Sequence, residues 1–116
     1  MESKDLNLLV IDDEPSIRTM LKRLLKNHFK SVKVVESSTT GIREAQKGEF
    51  DIILTDWECP EHDGAIKVMD SVNIPVVIMT GNIARKHPIN KVIYKPFDIE
   101  YVVSSLIEAY NNTNNK

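Results

Sequence analysis

The stretch LNLLVIDDEP, residues 6–15, contains the pattern that decides the fold. Five of its first six residues are apolar, and they are followed by three acids, Asp12, Asp13 and Glu14, and then by Pro15. A continuous apolar run is typical of a strand that is covered on both faces, as in a parallel sheet. Proline is accepted in the first turn of a helix, where no N–H donor is needed. The stretch therefore predicts a strand, a short acidic loop and a helix.

Four further apolar runs, rich in Val and Ile, predict the other strands of the sheet. They are VKVV (32–35), DIIL (51–54), IPVVIM (74–79) and KVIY (91–94). Apolar residues that repeat every three or four positions predict a helix over about 15–28 and another near the C-terminus, with Asp98 as its N-cap. Shorter helices are predicted over 39–47 and 64–71. This alternation favours right-handed βαβ units and a doubly wound α/β fold with a five-stranded parallel sheet.

The composition is that of one ordinary domain. The chain has 116 residues, 41% hydrophobic and 28% charged, and we expect a single domain over 1–116 with a flexible tail over 110–116. The 15 basic and 17 acidic residues give a net charge of −2, so no basic excess points to nucleic acid. No run is long enough for a membrane span and no signal peptide begins the chain, so a cytoplasmic location is expected. The lone Cys59 excludes an intramolecular disulfide.

Polar side chains follow the carboxyl ends of four predicted strands, the edge at which open α/β sheets bind ligands. They are Asp12 and Asp13 after the first strand, Asp56 and Glu58 after the third, Thr80 after the fourth and Lys95 after the fifth. Two carboxylates about 4 Å apart repel by roughly 4 kcal/mol at an effective dielectric of about 20, so a group of three needs a cation or a proton. Oxygen ligands without His or Cys favour Mg²⁺. A lysine ammonium and a threonine hydroxyl suit a phosphoryl group.

The set as a whole predicts Mg²⁺-dependent phosphoryl transfer onto an aspartate, which is an established form of covalent chemistry. Each residue alone has a simpler interpretation. Asp12 and Asp13 are good caps for the helix that follows, and Asp56 is an ordinary loop carboxylate. On the same simpler interpretation, Lys95 is a solvated lysine and the Thr80 hydroxyl is bonded to the backbone. Four strand ends with complementary chemistry favour the functional interpretation.

Over about residues 5–110 the chain resembles the CheY-like receiver domain of two-component response regulators. The matching motifs are VIDDEPSIR after the first strand, TDWECPEHDG around Asp56, MTG at Thr80 and YKPF at Lys95. The resemblance implies the flavodoxin-like strand order 2-1-3-4-5. It also implies a signalling domain that catalyses only its own phosphorylation and dephosphorylation.

The resemblance assigns a role to each residue of the predicted site. It implies that Asp56 accepts the phosphoryl group, that Thr80 is the switch hydroxyl and that Lys95 pairs with the phosphoryl oxygens. It implies a Mg²⁺ site formed by Asp12, Asp13, Asp56 and the backbone carbonyl of Glu58. The implied partners are a histidine kinase or histidine phosphotransfer protein, a downstream protein target or linked output domain, and a second copy in a weak homodimer. Neither nucleic acid nor a membrane is an expected partner.

Two departures from the family pattern concern the output surface. Val92 stands where receivers usually have an aromatic residue, so coupling of an aromatic ring to Thr80 is not expected. The segment 81–90 is shorter than usual and contains Pro88, so the fourth helix is expected to be shortened or absent. Neither departure touches the acidic residues, and we expect phosphorylation chemistry with an atypical output surface.

Three other functions compete with this interpretation. A flavodoxin-like nucleotide or flavin binder needs a phosphate-binding loop after the first strand, and DDEPS would repel a phosphate. An aspartate-dependent phosphohydrolase would favour a second Asp where Glu14 stands. A degenerate receiver that acts as a phosphorylation-independent binding module is the main alternative, and the complete set of acidic, Thr and Lys residues argues against it.

Overall fold

The strands and helices alternate along the chain, as the apolar pattern predicted. The computed structural model describes residues 3–57, 64–80, 92–94 and 98–114, of which 92–94 and 113–114 are described by their backbone. A short 3-10 turn over Ser3–Asp5 precedes the sheet. The strands are β1 (Asn7–Ile11), β2 (Ser31–Val35), β3 (Ile52–Asp56), β4 (Val76–Thr80) and β5 (Val92–Tyr94). The helices are α1 (Pro15–Leu25), α2 (Ser38–Ala45), α3 (Gly64–Ser71) and α4 (Ile99–Asn114).

The strands form one sheet in which neighbouring strands are parallel, in the order β2-β1-β3-β4-β5. The predicted α/β fold with the order 2-1-3-4 is confirmed. The backbone of β5 continues the sheet beyond β4, with Val92 opposite Ile78 and Tyr94 opposite Thr80. The expected shortening or absence of a helix falls on residues 81–90, which lie outside the described residues.

The central strand β1 carries apolar side chains on both faces, which explains its continuous apolar run. Leu8 and Val10 lie in the core between the sheet and helices α1 and α4. Leu9 and Ile11 lie in the second core, on the face covered by α2 and α3. All four side chains are fully buried, and each contributes roughly 1.5–3 kcal/mol relative to an exposed position. The sheet is therefore held from both sides, which fixes the position of the strand ends.

Helix α1 is shorter than the sequence predicted. It ends at Leu25 instead of 28, and the N–H of His28 donates to the carbonyl of Leu25 at 2.9 Å in the turn that follows. Phe29 then enters the core beside α1 and is 4% exposed. A continued helix would carry Phe29 along the same axis, whereas the turn packs its ring against the sheet.

Helix α4 begins where the sequence predicted and ends later. The Asp98 carboxylate accepts a hydrogen bond of 2.8 Å from the N–H of Tyr101, which confirms the predicted N-cap. The helix runs to Asn114 and so extends into the stretch 110–116 that was expected to be a flexible tail. Ala109 and Tyr110 pack against the core, and a helix anchored there gains one backbone hydrogen bond for each further residue. No helix in the described part of the chain is long and apolar enough to cross a membrane.

Candidate functional site

The register of the sheet places three polar residues at one edge. Ile11 of β1 pairs with Thr55 of β3, so Asp12 and Asp56 are the next residues on neighbouring strands. Asp56 in turn pairs with Met79 of β4, the residue before Thr80. The juxtaposition predicted from the strand ends is therefore present for β1, β3 and β4.

Three carboxylates come together at this edge. Asp12, Asp13 and Asp56 each offer one carboxylate oxygen, and these oxygens all lie within 4.8 Å of one another. Asp12 is fully buried, Asp56 is 4% exposed and Asp13 is half-buried. Charges so close and so poorly solvated disfavour three ionised groups unless a cation joins them. Three carboxylate oxygens are a donor set that suits a hard divalent cation such as Mg²⁺, with further positions for water or phosphate oxygens.

Hydrogen bonds tie the acidic loop to its surroundings at several points. The N–H of Asp12 donates to the carbonyl of Val35 on β2 at 3.1 Å. The Asp12 carboxylate accepts from the N–H of Glu14 at 2.9 Å, and the Asp12 carbonyl accepts from Nη1 of Arg18 at 2.8 Å. The N-cap residue of α1 is Glu14, whose side chain makes no capping hydrogen bond. The geometry thus favours an acidic site over the alternative that Asp12 and Asp13 simply cap the helix.

Charged groups are also found at the end of the neighbouring strand β2. Glu36 directly follows β2, and its pKa is lowered, chiefly because the Thr40 hydroxyl donates a hydrogen bond of 2.7 Å to it. The positive charges of Arg18 and Arg43 add to this lowering of the pKa. Arg18 is also linked to the end of β2 through Asp12, whose carbonyl it binds and whose N–H donates to Val35. The sequence contained Arg18 in the motif after the first strand but gave no reason to assign it a contact, because that contact depends on how α1 returns over the loop.

The remaining predicted site residues divide into two groups. Thr80 is fully buried at the end of β4. Trp57 is not one of the predicted residues; it follows Asp56, and its backbone N–H donates to the carbonyl of Met79 at 2.9 Å. Lys95 and Glu58 lie outside the described residues, and their roles stay predictions.

The comparisons with known proteins agree with this architecture. The sequence-family model of the response regulator receiver domain matches residues 8–107. Chemotaxis protein CheY-3 of Vibrio cholerae is 27% identical over 110 residues, which cover 82% of this chain and 84% of that protein. A response regulator receiver protein from Sinorhizobium medicae has a TM-score of 0.81 at 20% identity, covering 96% of this chain and 98% of that one.

A second similar structure is a complex. It is the co-crystal structure of the Saccharomyces cerevisiae histidine phosphotransfer signaling protein Ypd1 and the receiver domain of its downstream response regulator Ssk1. One of its chains has a TM-score of 0.77 at 16% identity, covering 94% of this chain and 91% of that one. With the family match spanning most of the sequence and the acidic cluster at the predicted edge, the chain belongs to the response regulator receiver domain family of two-component signalling and is CheY-like.

Proposed function

We propose that Asp56 is the phosphoacceptor and takes its phosphoryl group from the phosphohistidine of a histidine kinase or histidine phosphotransfer protein, in a Mg²⁺-dependent reaction. The observation that carries this proposal is the acidic cluster, in which oxygens of Asp12, Asp13 and Asp56 lie within 4.8 Å. The likeness to a structure solved with a histidine phosphotransfer protein supports the choice of donor, since both chains have the receiver fold.

The residues present fit a magnesium ion. The ligands would be the three carboxylates together with the backbone carbonyl of Glu58. A bound Mg²⁺ supplies positive charge that offsets the repulsion between the carboxylates and the oxygens of an incoming phosphoryl group. Asp12 and Asp56 are buried, so their carboxylates have little room to move apart when negative charge accumulates. The site therefore depends on the positive charge of the metal ion.

Asp56 is the nucleophile of the proposed transfer. One oxygen of its carboxylate attacks phosphorus, a P–O bond forms and the P–N bond to the donor imidazole breaks. The imidazole nitrogen keeps the electron pair of that bond and is protonated. Thr80, on the strand beside Asp56, donates its hydroxyl hydrogen to a phosphoryl oxygen, and Lys95 neutralises another. The chain catalyses only its own phosphorylation and, through attack of water on the acyl phosphate, its own dephosphorylation.

The signal would leave the domain through a conformational switch. Thr80 is buried at the end of β4 and pairs with Tyr94 of β5, so a shift of its hydroxyl toward the phosphoryl group would act on the end of this strand pair. We propose a downstream protein target or a linked output domain as the receiver of this change, in the cytoplasm. We also propose that the output surface is atypical, because the sequence between Thr80 and Lys95 is short.

Intact mass spectrometry after incubation with acetyl phosphate, with and without Mg²⁺, tests the proposal directly. We expect a Mg²⁺-dependent gain of one phosphoryl group in the wild type and none in Asp56→Asn. Asp70→Asn removes an exposed carboxylate from α3 and serves as the matched control that keeps the adduct.

Three results would contradict the proposal. An adduct that persists in Asp56→Asn would place the acceptor elsewhere. A folded wild type that gives neither an adduct nor Mg²⁺-dependent release of phosphate from the donor would favour the phosphorylation-independent binding module. Release of many phosphates per chain from unrelated phosphoesters would instead indicate a phosphohydrolase.

A further inference from the structure

We propose that Arg18 is a positioning residue for the metal-binding loop. Its guanidinium holds the peptide group between Asp12 and Asp13 and thereby sets the direction of the Asp13 carboxylate. The inference rests on the proposed Mg²⁺ site and assigns a role to a residue outside the acidic cluster.

The loop in question is short and is fastened at both ends. Asp12, Asp13 and Glu14 are the residues between the end of β1 and the start of α1. The N–H of Asp12 is bound to Val35, and the N–H of Glu14 is bound to the Asp12 carboxylate. Between these two bonds lies the Asp12 carbonyl, and the side chain that holds it is Arg18, at 2.8 Å.

The carbonyl of Asp12 controls Asp13 because a peptide group is planar. Its oxygen lies in the same rigid plane as the nitrogen and Cα of Asp13. A hydrogen bond to that oxygen therefore fixes the orientation of the peptide plane, and with it the position of the Cα that carries the Asp13 side chain. Within residues 3–57, 64–80 and 98–112 the Asp13 carboxylate has no hydrogen-bond partner of its own. Its position in the cluster is therefore set by the backbone, and Arg18 is the side chain that holds this part of the backbone.

Arg18 is itself well fixed. It lies in the second turn of α1, where its own N–H donates to the carbonyl of Glu14 at 3.0 Å, and its side chain is half-buried. Through the Arg18 side chain, helix α1 is thus bonded to the loop that precedes it, which makes that loop more rigid.

Charge and positioning make opposite predictions for this residue. A cation beside a group of carboxylates opposes the binding of a second cation, so removal of its charge alone would tighten Mg²⁺ binding. Removal of a group that orients a ligand weakens metal binding, commonly by about tenfold or more. The sign of the change in affinity therefore separates the two effects.

The test measures the Kd for Mg²⁺ by titration calorimetry on the unphosphorylated chain. Arg18→Met keeps the apolar stem and removes the donor, and we expect its Kd to rise about tenfold. Arg18→Lys keeps a charge and a donor, and we expect it to recover most of the affinity. Arg23→Met removes an exposed cation from the same helix and should leave the Kd unchanged within about twofold. Circular dichroism checks folding, and Arg18→Gln provides a second neutral side chain in case Arg18→Met does not fold.

A double-mutant cycle shows whether Arg18 acts through Asp13. In the Asp13→Asn background the further change Arg18→Met should have little effect on the Kd, because the ligand that it orients is already gone. An unchanged or lower Kd in the folded single variant Arg18→Met would overturn the inference while the proposed function stands. A wild type that does not bind Mg²⁺ at all would overturn both.

Discussion

Gly41 of α2 lies directly against Ile11 of β1. A Cβ atom built on Gly41 would come within 2.8 Å of Cγ1 of Ile11 and closer still to its Cδ1. Ile11 is fully buried and is the last residue of the strand before the acidic loop. The helix can approach this strand only because the residue at the contact has no side chain.

Substitution of Gly41 by alanine should therefore destabilise the fold, although alanine is the better helix former by about 1 kcal/mol. The added methyl group meets a buried isoleucine held on several sides, and such overpacking costs typically about 1–3 kcal/mol. Urea unfolding measures the change. Thr39→Ala, at an exposed position of the same helix, should stay within about 0.5 kcal/mol of the wild type. Equal stability of Gly41→Ala and wild type would show that α2 is free to move away from β1.

Magnesium should stabilise the native chain, since the unfolded chain lacks the assembled carboxylates. At a Mg²⁺ concentration ten times the Kd the gain is about 1.4 kcal/mol, which corresponds to a rise in Tm of about 5 °C for a domain of this size. Asp13→Asn should remove most of that rise and should raise the Tm without metal, because one of the repelling charges is gone. Differential scanning calorimetry measures both effects, with Asp70→Asn as the control. A Tm indifferent to millimolar Mg²⁺ would count against the metal site.

The N-cap of α4 can be tested with two substitutions of one residue. Asp98→Ala removes the acceptor for the N–H of Tyr101 and should lower the free energy of unfolding by about 1 kcal/mol. Asp98→Asn keeps an acceptor oxygen and should lose much less. Hydrogen exchange should quicken in the first turn of the helix in the alanine variant only. Identical exchange in both variants would mean that the cap bond is not populated in solution.

The stability of the fold should depend slightly on pH through the side chain of Glu44. Lys33 and Lys47 donate hydrogen bonds of 2.7 and 3.0 Å to its carboxylate, and these lower the pKa of Glu44 below its ordinary value of 4.5. A lowered folded-state pKa means that the stabilisation is fully present above 4.5 and is lost as the pH falls through the lower, folded-state value. Glu44→Gln should therefore be less stable than the wild type at pH 7, and the difference should shrink in acid.

Both lysine side chains are more than half exposed, at 52% and 54%, so the Glu44 effect should be small and should weaken in high salt. Urea unfolding from neutral to acidic pH, at low and high salt, measures it. Glu49→Gln, which removes another exposed carboxylate, is the comparison. A difference between Glu44→Gln and wild type that grows in acid would contradict the linkage.

The output side of the domain and the phosphorylation chemistry should be separable. Val92 pairs with Ile78, two residues before Thr80, whereas the clustered carboxylates follow β1 and end β3. Val92→Tyr should therefore leave the rate of phosphorylation by acetyl phosphate unchanged, while Asp13→Asn should slow it strongly. Time-resolved intact mass compares the rates. A large change in Val92→Tyr would show that this position is coupled to the chemistry.

The sequence predicted well those features that depend on local pattern. The continuous apolar run of β1 indicated burial on both faces, and Leu8 and Leu9 do lie in opposite cores. The acids after β1 and β3 were expected at one edge, and the strand register brings them together. Helix and strand ends were less predictable, since the end of α1 at Leu25 depends on the turn that brings Phe29 into the core.

Features that depend on the distance between elements were not predictable from the sequence. The contact between Gly41 and Ile11 requires the separation of α2 from the sheet, which no local pattern encodes. The bond from Arg18 to Asp12 requires the angle at which α1 leaves the loop. Both contacts join residues whose types are unremarkable in the sequence, and packing alone gives them their roles.

The three carboxylates come together only when Ile11 of β1 is paired with Thr55 of β3, so the acidic site reports the correct alignment of these two strands. A slip of β3 by one residue against β1 would carry Asp56 about 3.3 Å along the strand and turn its side chain to the opposite face of the sheet. Such a misaligned chain would keep its helices and much of its hydrophobic contact, so circular dichroism would hardly distinguish it from the native protein. It would lose the cluster of three carboxylates altogether. Affinity for a divalent cation thus reports the correct alignment of the central strands more strictly than secondary-structure content does.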